Sequence, residues 1–162
     1  HLIFRISWVF GREGKNFVKT MLALAQKNQE LKVVNDQVGS PTYADDIARM
    51  VLSLIPQIYL GHPINWGTYH YTGETYDRRP ISWYDFACKI FEILSEHEGY
   101  NIPHVISIPS KEFPQSATRP HYSYLNTAKF SHVFGLPLSN WQQGVREVIE
   151  HEIAHKHISE KD

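Results

Sequence analysis

Cysteine, long apolar runs and an excess of one charge are all missing or scarce in this sequence of 162 residues. Cysteine occurs once, at Cys88, so the chain cannot contain an internal disulfide, and a reducing cytoplasm is the expected location. No apolar run approaches the roughly 20 residues of a membrane span, and we expect no membrane contact. Lys and Arg number 16 against 17 Asp and Glu, so no excess of positive charge predicts a nucleic-acid partner.

An initiator methionine and a signal peptide are also missing, since His1 to Phe10 have neither a charged n-region nor a cleavage site. We therefore expect the sequence to begin inside a longer protein. The composition, with 42% hydrophobic and 20% charged residues, excludes disordered, collagen-like and coiled-coil chains. A chain of this length buries roughly 70% of its unfolded surface, which is sufficient for one domain.

Strand-like and helix-like segments alternate along the chain, which predicts an α/β fold. Apolar and β-branched runs predict strands at 1–10, 31–35, 67–72 and 104–108. Apolar residues at helical spacing predict helices over 16–28, 42–56, 82–98, a short segment after Asn126, and 139–157.

Cap-like residues predict where three of these helices begin. Thr42 with Asp45 and Ser139 with Gln142 match the capping-box pattern, and Ser82 is a favourable N-cap. Within these helices, apolar side chains at helical spacing are expected to face inward: Ile47, Val51, Leu54, Ile55, Phe86, Ile90, Ile93 and Leu94.

Three catalytic or cofactor motifs are absent from the sequence. It contains no G-x-G-x-x-G dinucleotide fingerprint, no Tyr-x-x-x-Lys pair and no G-x-S-x-G nucleophile elbow. The segment Gly11 to Lys15 resembles part of a phosphate loop, but Val9 and Asn16 stand where that motif needs Gly and Ser or Thr. The cofactor-binding residues are therefore unknown.

A single metal-like motif, His151-Glu-Ile-Ala-His155, matches the H-E-x-x-H pattern of zinc hydrolases. It lies in the last predicted helix, where few residues remain to supply a third ligand. We interpret it as a solvated helix face, with a zinc hydrolase as a less favoured alternative, and we assign no metal.

Polar and aromatic residues that helix and strand patterns do not require cluster in three segments: Ser7-Trp8, Gln37 to Tyr43, and Ser116 to Ser123. The second segment precedes a helix N-terminus, where anions bind readily. In the third, the planar guanidinium of Arg119 can clamp a phosphate. A core role for Trp8 and a surface ion pair for Arg119 are the ordinary alternatives. The residues alone predict a loop-built site for an anionic small molecule.

Several ordered motifs together resemble one known family. They are Arg5-Ile-Ser-Trp-Val-Phe-Gly11, Lys15-Asn-Phe-Val-Lys-Thr-Met21, Asn35-Asp-Gln-Val-Gly-Ser-Pro-Thr42, Ser82-Trp-Tyr-Asp-Phe-Ala87, Arg119-Pro-His-Tyr-Ser-Tyr-Leu-Asn-Thr-Ala-Lys129 and Trp141-Gln-Gln-Gly-Val145. In this order they resemble the dTDP-4-dehydrorhamnose reductases of the extended short-chain dehydrogenase/reductase superfamily. The match covers nearly the whole chain but only the C-terminal half of the family.

The resemblance implies an α/β fold that combines the C-terminal part of a Rossmann-like parallel sheet with a small α/β sugar-nucleotide-binding domain. Residues 1–11 and about 67–73 would be the residual Rossmann strands. Residues 12–66 and 74–162 would form mainly the substrate-binding lobe and its packing helices. The exposed sheet edge implies a homodimer or association with another chain.

The family reduces dTDP-4-dehydro-6-deoxy-L-mannose (dTDP-4-dehydrorhamnose) to dTDP-L-rhamnose with NADPH, for bacterial cell-surface polysaccharide such as lipopolysaccharide O-antigen. The resemblance therefore implies an oxidoreductase as the intact parent, with NADH as a possible substitute for NADPH. Because the Tyr-x-x-x-Lys pair is absent, this fragment is expected to hold no catalytic residue and to be inactive. The alternative is a non-catalytic regulatory subunit of the methionine adenosyltransferase type, which uses the same fold.

At matching positions the resemblance implies that Trp8 borders the reacting sugar and that Ser7 lies near the nicotinamide. Arg119 would bind the diphosphate, while the nucleotide end would be lined by Asn16, Phe17, Gln37 and Thr42. Tyr122 departs from the family, in which a smaller Asn is common. Some members bind a divalent cation such as Mg²⁺ at a dimer interface, and Asp45 is a candidate ligand, although no matching acidic set is evident.

Overall fold

The computed structural model describes residues 1–114 and 117–159 as alternating strands and helices. The strands are β1 (Leu2–Arg5), β2 (Val9–Phe10), β3 (Glu30–Val34), β4 (Val38–Gly39), β5 (Thr42–Tyr43), β6 (Gly67–His70), β7 (Ile81–Ser82) and β8 (His104–Ile108). The helices are α1 (Phe17–Ala25), α2 (Ala44–Tyr59), α3 (Trp83–Leu94), α4 (Ala128–Phe134) and α5 (Trp141–Ser159). Short 3₁₀ turns span Tyr76–Arg78 and Ser110–Glu112.

The strands form two-stranded sheets, most of them parallel. In the described residues, β1 pairs with β6, β2 with β5 and β3 with β8 in parallel, whereas β4 and β7 are antiparallel. The longest pair aligns Glu30 with His104 and Val34 with Ile108. In sequence, at least one helix lies between the two strands of each parallel pair, so the predicted α/β class is confirmed.

The first predicted strand, over residues 1–10, is divided in two. Trp8 has φ 49°, a left-handed conformation that no regular strand contains. The chain therefore turns at Trp8, and β2 pairs with β5 instead of continuing along β6.

Local capping explains where α1 and α3 begin. The side chain of Asn16 accepts a hydrogen bond from the N–H of Lys19 at the start of α1. Ser82 and Asp85 form a reciprocal capping box at the start of α3, which confirms the predicted N-cap. The predicted inner face of α3 is also confirmed, because Phe86, Ile90, Ile93 and Leu94 are all buried. None of the helices in the described residues is long and apolar enough to cross a membrane.

The predicted start, end and inner face of α2 need correction. The side chain of Thr42 does not cap the helix, which begins at Ala44 without a side-chain cap, and Pro56 lies inside it. Pro56 removes one N–H donor from the helix, which nevertheless continues to Tyr59. Met50 and Leu54 are buried, whereas Val51 and Ile55 are exposed.

The predicted capping box at the start of α5 is also wrong. The helix begins at Trp141, and the side chain of Asn140 accepts the hydrogen bond from the N–H of Gln143. The Ser139 hydroxyl is instead used in tertiary contacts: it accepts from the N–H of Tyr43 at 3.0 Å and donates to Asp46 at 2.8 Å.

Buried apolar side chains form two clusters. The first, which we call the helical core, joins α1, α3 and α5 to the β3–β8 pair and includes Val18, Phe86, Ile90, Val145 and Ile149. The second, the β1–β6 cluster, lies between α2, α4 and β6 and consists of Met50, Leu54, Tyr69, Tyr71 and Phe130. The proposed division into residual Rossmann strands and a substrate lobe stays a prediction.

Candidate functional site

Hydrogen bonds join the first two predicted site segments, Ser7-Trp8 and the loop before α2. The Thr42 hydroxyl donates to the carbonyl of Ser7 at 2.7 Å, and the Thr42 N–H donates to the carbonyl of Trp8 at 3.1 Å. The Ser7 hydroxyl donates to the carbonyl of Ser40 at 3.2 Å. Because Thr42 is fully buried, these bonds are shielded from water and hold the turn at Trp8 in place.

The indole of Trp8 lies in a fixed aromatic environment. Its ring stacks on Trp83, with ring centroids 3.6 Å apart and an interplanar angle of 9°. The left-handed backbone of such a bulky residue costs on the order of 1–3 kcal/mol, which the surrounding contacts must offset. Gly39 lies against the same indole, where an added Cβ would be 2.6 Å from Cε2 of Trp8. Trp8 is only partly buried, so part of its ring faces solvent.

Asn16 and Phe17 lie beside this aromatic group and are used in local structure. The ring of Phe17 is 4.7 Å from that of Trp83 and 5.3 Å from that of Phe86. The Asn16 amide, besides capping α1, donates to the carbonyl of Gly11 at 2.7 Å. Both side chains therefore shape the loop that faces Trp83.

Gln37 is buried but unpaired. The residue is only 5% exposed, and its side chain forms no hydrogen bond with any described residue. The amide atoms of Gln37 are not among the fully enclosed side-chain atoms without a hydrogen-bond partner, which in the described residues are Nε2 of His97 and Nδ1 of His151, so no unfavourable buried amide is implied. A polar ligand group that reaches Gln37 would give the amide a hydrogen-bond partner.

The long loop before α4 pairs with β4 and so approaches Gln37. The N–H of Val38 donates to the carbonyl of His121 at 2.8 Å, and the N–H of Ser123 donates to the carbonyl of Val38 at 2.8 Å. Nδ1 of His121 donates to the carbonyl of Asp36 at 3.0 Å. These bonds bring the third predicted segment beside the second; its first residue, Ser116, lies outside the described residues.

Arg119 lies on this loop, two residues before His121. Its side chain is exposed and has no ion pair or hydrogen bond within the described part of the chain. Tyr122 is 63% exposed on the same loop, and its ring meets that of Tyr124 edge to face at 6.4 Å. The guanidinium of Arg119 is thus available to an anion without first breaking another contact.

The start of the long loop is tied to the end of β3 by Asp36. Its carboxylate accepts hydrogen bonds from both the N–H and the hydroxyl of Ser110, each at 2.9 Å. Desolvation acts to raise the pKa of Asp36, but the hydrogen bonds from Ser110 outweigh it and lower the pKa from its ordinary value of 3.8. The ionised carboxylate therefore holds the loop near Gln37.

Two buried tyrosines near the start of α2 remain protonated. Burial and, to a smaller extent, the negative charge of Asp46 raise the pKa of Tyr71 to about 12. Burial and a 2.9 Å hydrogen bond to the Glu147 carboxylate also raise the pKa of Tyr43. Neither phenol is poised to exchange a proton near neutral pH, which favours a structural role for both.

A cavity of about 400 Å³ lies beside the Gly11–Asn16 loop. It is lined by Val9, Phe10, Gly11, Arg12, Glu13, Lys15, Asn16, Ala44, Asp45 and His151. Asn16 is the one predicted substrate-site residue in this lining. Asp45, the candidate ligand for a divalent cation, is paired with Arg12.

The H-E-x-x-H motif lies on α5 as an ordinary helical pair. The rings of His151 and His155 are 4.0 Å apart, and Nδ1 of His155 donates to the carbonyl of His151 at 2.9 Å. Glu152 is paired with Lys19 at 2.9 Å. Among the described residues, no group of three or more His, Cys, Asp or Glu side chains is arranged to hold a metal ion.

The sequence placed Gly39 and Ser40 in the second predicted segment without a role for either, and it did not place Trp83 at the site. Trp83 immediately follows the N-cap of α3, where an apolar residue is unremarkable in sequence. Gly39 lies in a loop rich in turn-forming residues, so its lack of a Cβ suggested no specific contact. Only the position of the Trp8 ring shows why these residues matter.

Residues 1–153 match the family model described as the RmlD substrate binding domain. A dTDP-4-dehydrorhamnose reductase from Aggregatibacter actinomycetemcomitans is 41% identical over 148 residues, which cover 91% of this chain and 49% of that protein. The chain thus spans about half the length of the relatives that it matches.

Solved structures agree with this assignment. A dTDP-4-dehydrorhamnose reductase from Clostridium acetobutylicum has a TM-score of 0.76 and 38% identity, covering 92% of this chain and 48% of that one. The enzyme from Bacillus anthracis, solved in complex with NADP, has a TM-score of 0.74 and 33% identity, covering 91% and 46%. The resemblance found in the sequence is confirmed, and the chain belongs to the RmlD substrate-binding domain family.

Proposed function

We propose that the complete protein containing this chain reduces dTDP-4-dehydro-6-deoxy-L-mannose to dTDP-L-rhamnose with NADPH. This chain would supply the part of the site that binds the sugar nucleotide. The observation that carries the proposal is the family match over residues 1–153, since relatives that share it are named dTDP-4-dehydrorhamnose reductase. The setting would be cytoplasmic synthesis of a cell-surface polysaccharide precursor.

Two polar side chains are proposed to contact the nucleotide directly. Arg119 is exposed and unpaired within the described residues, and a guanidinium can bind a diphosphate through two parallel hydrogen bonds. Gln37 lies in the loop beside this segment and makes no side-chain hydrogen bond with a described residue, so its amide is proposed to bind a polar group of the nucleotide. Trp8, whose ring is partly exposed, is proposed to border the sugar.

The other predicted site residues support these contacts in a different way. Ser7, Asn16 and Thr42 use their polar side-chain atoms in hydrogen bonds within the chain. We propose that they hold the two loops in position at the nicotinamide and nucleotide ends of the site. Phe17 would line the nucleotide end while supporting the ring of Trp83.

The reductant is proposed to be held by the part of the protein that this chain does not contain. NADPH, or NADH in its place, would supply the hydride that reduces the keto group. This chain has neither a G-x-G-x-x-G loop nor a Tyr-x-x-x-Lys pair, so its residues do not fit the dinucleotide. Its role would be to bind the nucleotide of the substrate and thereby orient the ketone. The chain alone is proposed to be inactive.

Association through the open edge of β1 is also proposed. In the described residues β1 pairs with β6 on one side only, and Ile3 in β1 is 46% exposed. Parallel strands are ordinarily covered on both faces, and an open edge readily accepts another strand. The edge would be covered either by the rest of the protein or by a second copy. A Mg²⁺ ion between two copies stays a prediction.

Substitution of Arg119 in the complete protein tests the proposed function. We expect Arg119→Ala to raise the KM for the dTDP-sugar about 10- to 100-fold, as for loss of a charge-assisted hydrogen bond worth roughly 1.5–3 kcal/mol. Steady-state NADPH oxidation would measure this change. Arg146→Ala is the control, because Arg146 lies in α5 and its guanidinium is already paired with Glu96.

Three outcomes would count against parts of this proposal. An unchanged KM in Arg119→Ala would remove Arg119 from the site. Nucleotide binding by the complete protein without any turnover would favour the regulatory-subunit alternative. NADPH oxidation by residues 1–162 alone would contradict the claim that this chain lacks the catalytic machinery.

A further inference from the structure

The partly exposed indole of Trp8 is held by two residues that make no predicted contact with a ligand. We propose that Trp83 and Gly39 are positioning residues, which fix the Trp8 ring at the sugar end of the site before the substrate binds. The inference rests on the proposed role of Trp8 and adds to it two specific residues.

Trp83 provides a rigid surface for one face of the Trp8 ring. The two rings are nearly parallel, at 9°, with their centroids 3.6 Å apart. Trp83 is itself fixed, because it is the first residue of α3 and directly follows the N-cap residue Ser82. Its ring packs 4.7 Å from that of Phe17 and 6.2 Å from that of Phe86. A movement of Trp83 would therefore disturb the helical core.

Gly39 provides the space that the Trp8 ring occupies. A Cβ at this position would lie 2.6 Å from Cε2 and 2.8 Å from Nε1 of Trp8, too close for any real contact. Gly39 has no left-handed φ, so its lack of a side chain matters for space and not for backbone conformation. The residue also pairs with Ile81 in β7, which places it next to the start of α3.

The backbone of Trp8 cannot easily relax to avoid such a collision. Its carbonyl accepts the N–H of Thr42, and the preceding carbonyl, of Ser7, accepts the Thr42 hydroxyl. A bulky residue stays in a left-handed conformation only where its surroundings determine it strongly, and such residues concentrate at functional sites. The exposed part of the Trp8 ring is thus preorganised, which favours alignment of a bound ketone.

The test is a double-mutant cycle in the complete protein, with Gly39→Ala made in two backgrounds. In the native background we expect Gly39→Ala to lower kcat/KM about 10-fold or more, mainly through kcat, because the sugar is misaligned while the nucleotide remains bound. In the Trp8→Ala background the collision is gone, and the same change should lower kcat/KM less than about 2-fold. Trp83→Ala should follow the same pattern, with partial rescue by Trp83→Phe.

Gly144→Ala is the matched control for a collision between a new methyl group and an aromatic ring. Gly144 lies in α5, and the atoms nearest to its added Cβ all belong to Tyr43, with Cγ at 2.5 Å, so the new methyl group does not contact the Trp8 ring. Any loss of kcat/KM that Gly144→Ala causes through lower stability should be the same in the native and in the Trp8→Ala background. If the loss from Gly39→Ala is likewise equal in the two backgrounds, the positioning inference is overturned.

A second measurement keeps this inference separate from the proposed function. The complete protein is labelled with 5-fluorotryptophan, and the ¹⁹F resonance of Trp8 is assigned by its disappearance in Trp8→Phe. We expect Gly39→Ala and Trp83→Phe, which act on the Trp8 ring itself, to shift this resonance more than Gly144→Ala does. If Gly39→Ala and Trp83→Phe leave the Trp8 resonance unshifted, the positioning inference is overturned. If they shift it but Trp8→Ala leaves kcat/KM unchanged, only the proposed role of Trp8 is overturned.

Discussion

The helical core and the β1–β6 cluster cover their strands to different extents. In the helical core, α3 packs on both strands of the β3–β8 pair and also contacts α1 and α5. In the β1–β6 cluster, α2 buries Met50 and Leu54 but leaves Leu52 63% and Ile55 50% exposed. Ile3, in β1, is 46% exposed. One region is thus closed within this chain, whereas the other leaves apolar surface in contact with water.

This difference bears on the candidate site, because its aromatic wall, formed by Trp8, Phe17 and Trp83, lies against the helical core. The wall is therefore supported by contacts that this chain makes by itself. Several exposed apolar side chains lie on α2 and β1, and large exposed patches of this kind commonly mark surfaces that another part of a protein covers.

Truncation of one buried phenylalanine in each region gives the largest expected effect. Phe86→Ala in the helical core should lower the free energy of unfolding by about 3–5 kcal/mol, because the surrounding helices cannot collapse into the cavity. Phe130→Ala in the β1–β6 cluster should lower the free energy of unfolding by less, about 3 kcal/mol. The reason is that Phe4 and Phe134 beside it are partly exposed and can move into the cavity. Chemical denaturation of the 162-residue chain measures both values.

Tyr59→Ala is the control for these two truncations. Tyr59 is also aromatic but 88% exposed at the end of α2, so its removal should change the unfolding free energy by less than about 0.5 kcal/mol. Equal losses in Phe86→Ala and Phe130→Ala would contradict the claim that the two regions differ in how tightly they are closed.

Ser139 links the two regions, and its removal should have an intermediate effect. Its buried hydroxyl accepts from the N–H of Tyr43, which belongs to the helical core, and donates to Asp46 in α2. Ser139→Ala leaves both groups without this partner, so we expect a loss of about 1–3 kcal/mol in unfolding free energy. Ser53→Ala is the control, because the Ser53 hydroxyl bonds only to the carbonyl of Met50 within α2. Equal stabilities of the two variants would show that the link contributes nothing.

The three predicted helix starts show which parts of the fold could be predicted from sequence. The cap at Ser82 was predictable, because both of its partners lie within four residues. Thr42 and Ser139 have similar local patterns, but their hydroxyls bond to Ser7 and to Tyr43 and Asp46. Those partners are 35 to 96 residues away in sequence, and a local pattern carries no information about such competition.

The candidate site was predictable as three segments but not as an arrangement. Motif order identified the segments around Trp8, Gln37 and Arg119. Their proximity depends on the pairing of the long loop with Val38, and on the turn that Trp8 makes at φ 49°. Neither feature has a short-range sequence signal, since a tryptophan between two apolar runs predicts continued strand. The roles of Gly39 and Trp83 follow only from that turn.

The smallest expected effect concerns the link between Asp36 and Ser110, which fastens the long loop to the closed region. Because the pKa of Asp36 is lowered in the folded chain, its carboxylate stabilises the fold above the unfolded-state pKa, near 3.8. This contribution disappears as the pH falls through the lower, folded-state pKa. Asp36→Asn should therefore be slightly less stable than the native chain at pH 7, and the difference should vanish in acid. Urea unfolding at several pH values measures it, and a difference that persists well below pH 3.8 would show that the ionised carboxylate is not what holds the loop.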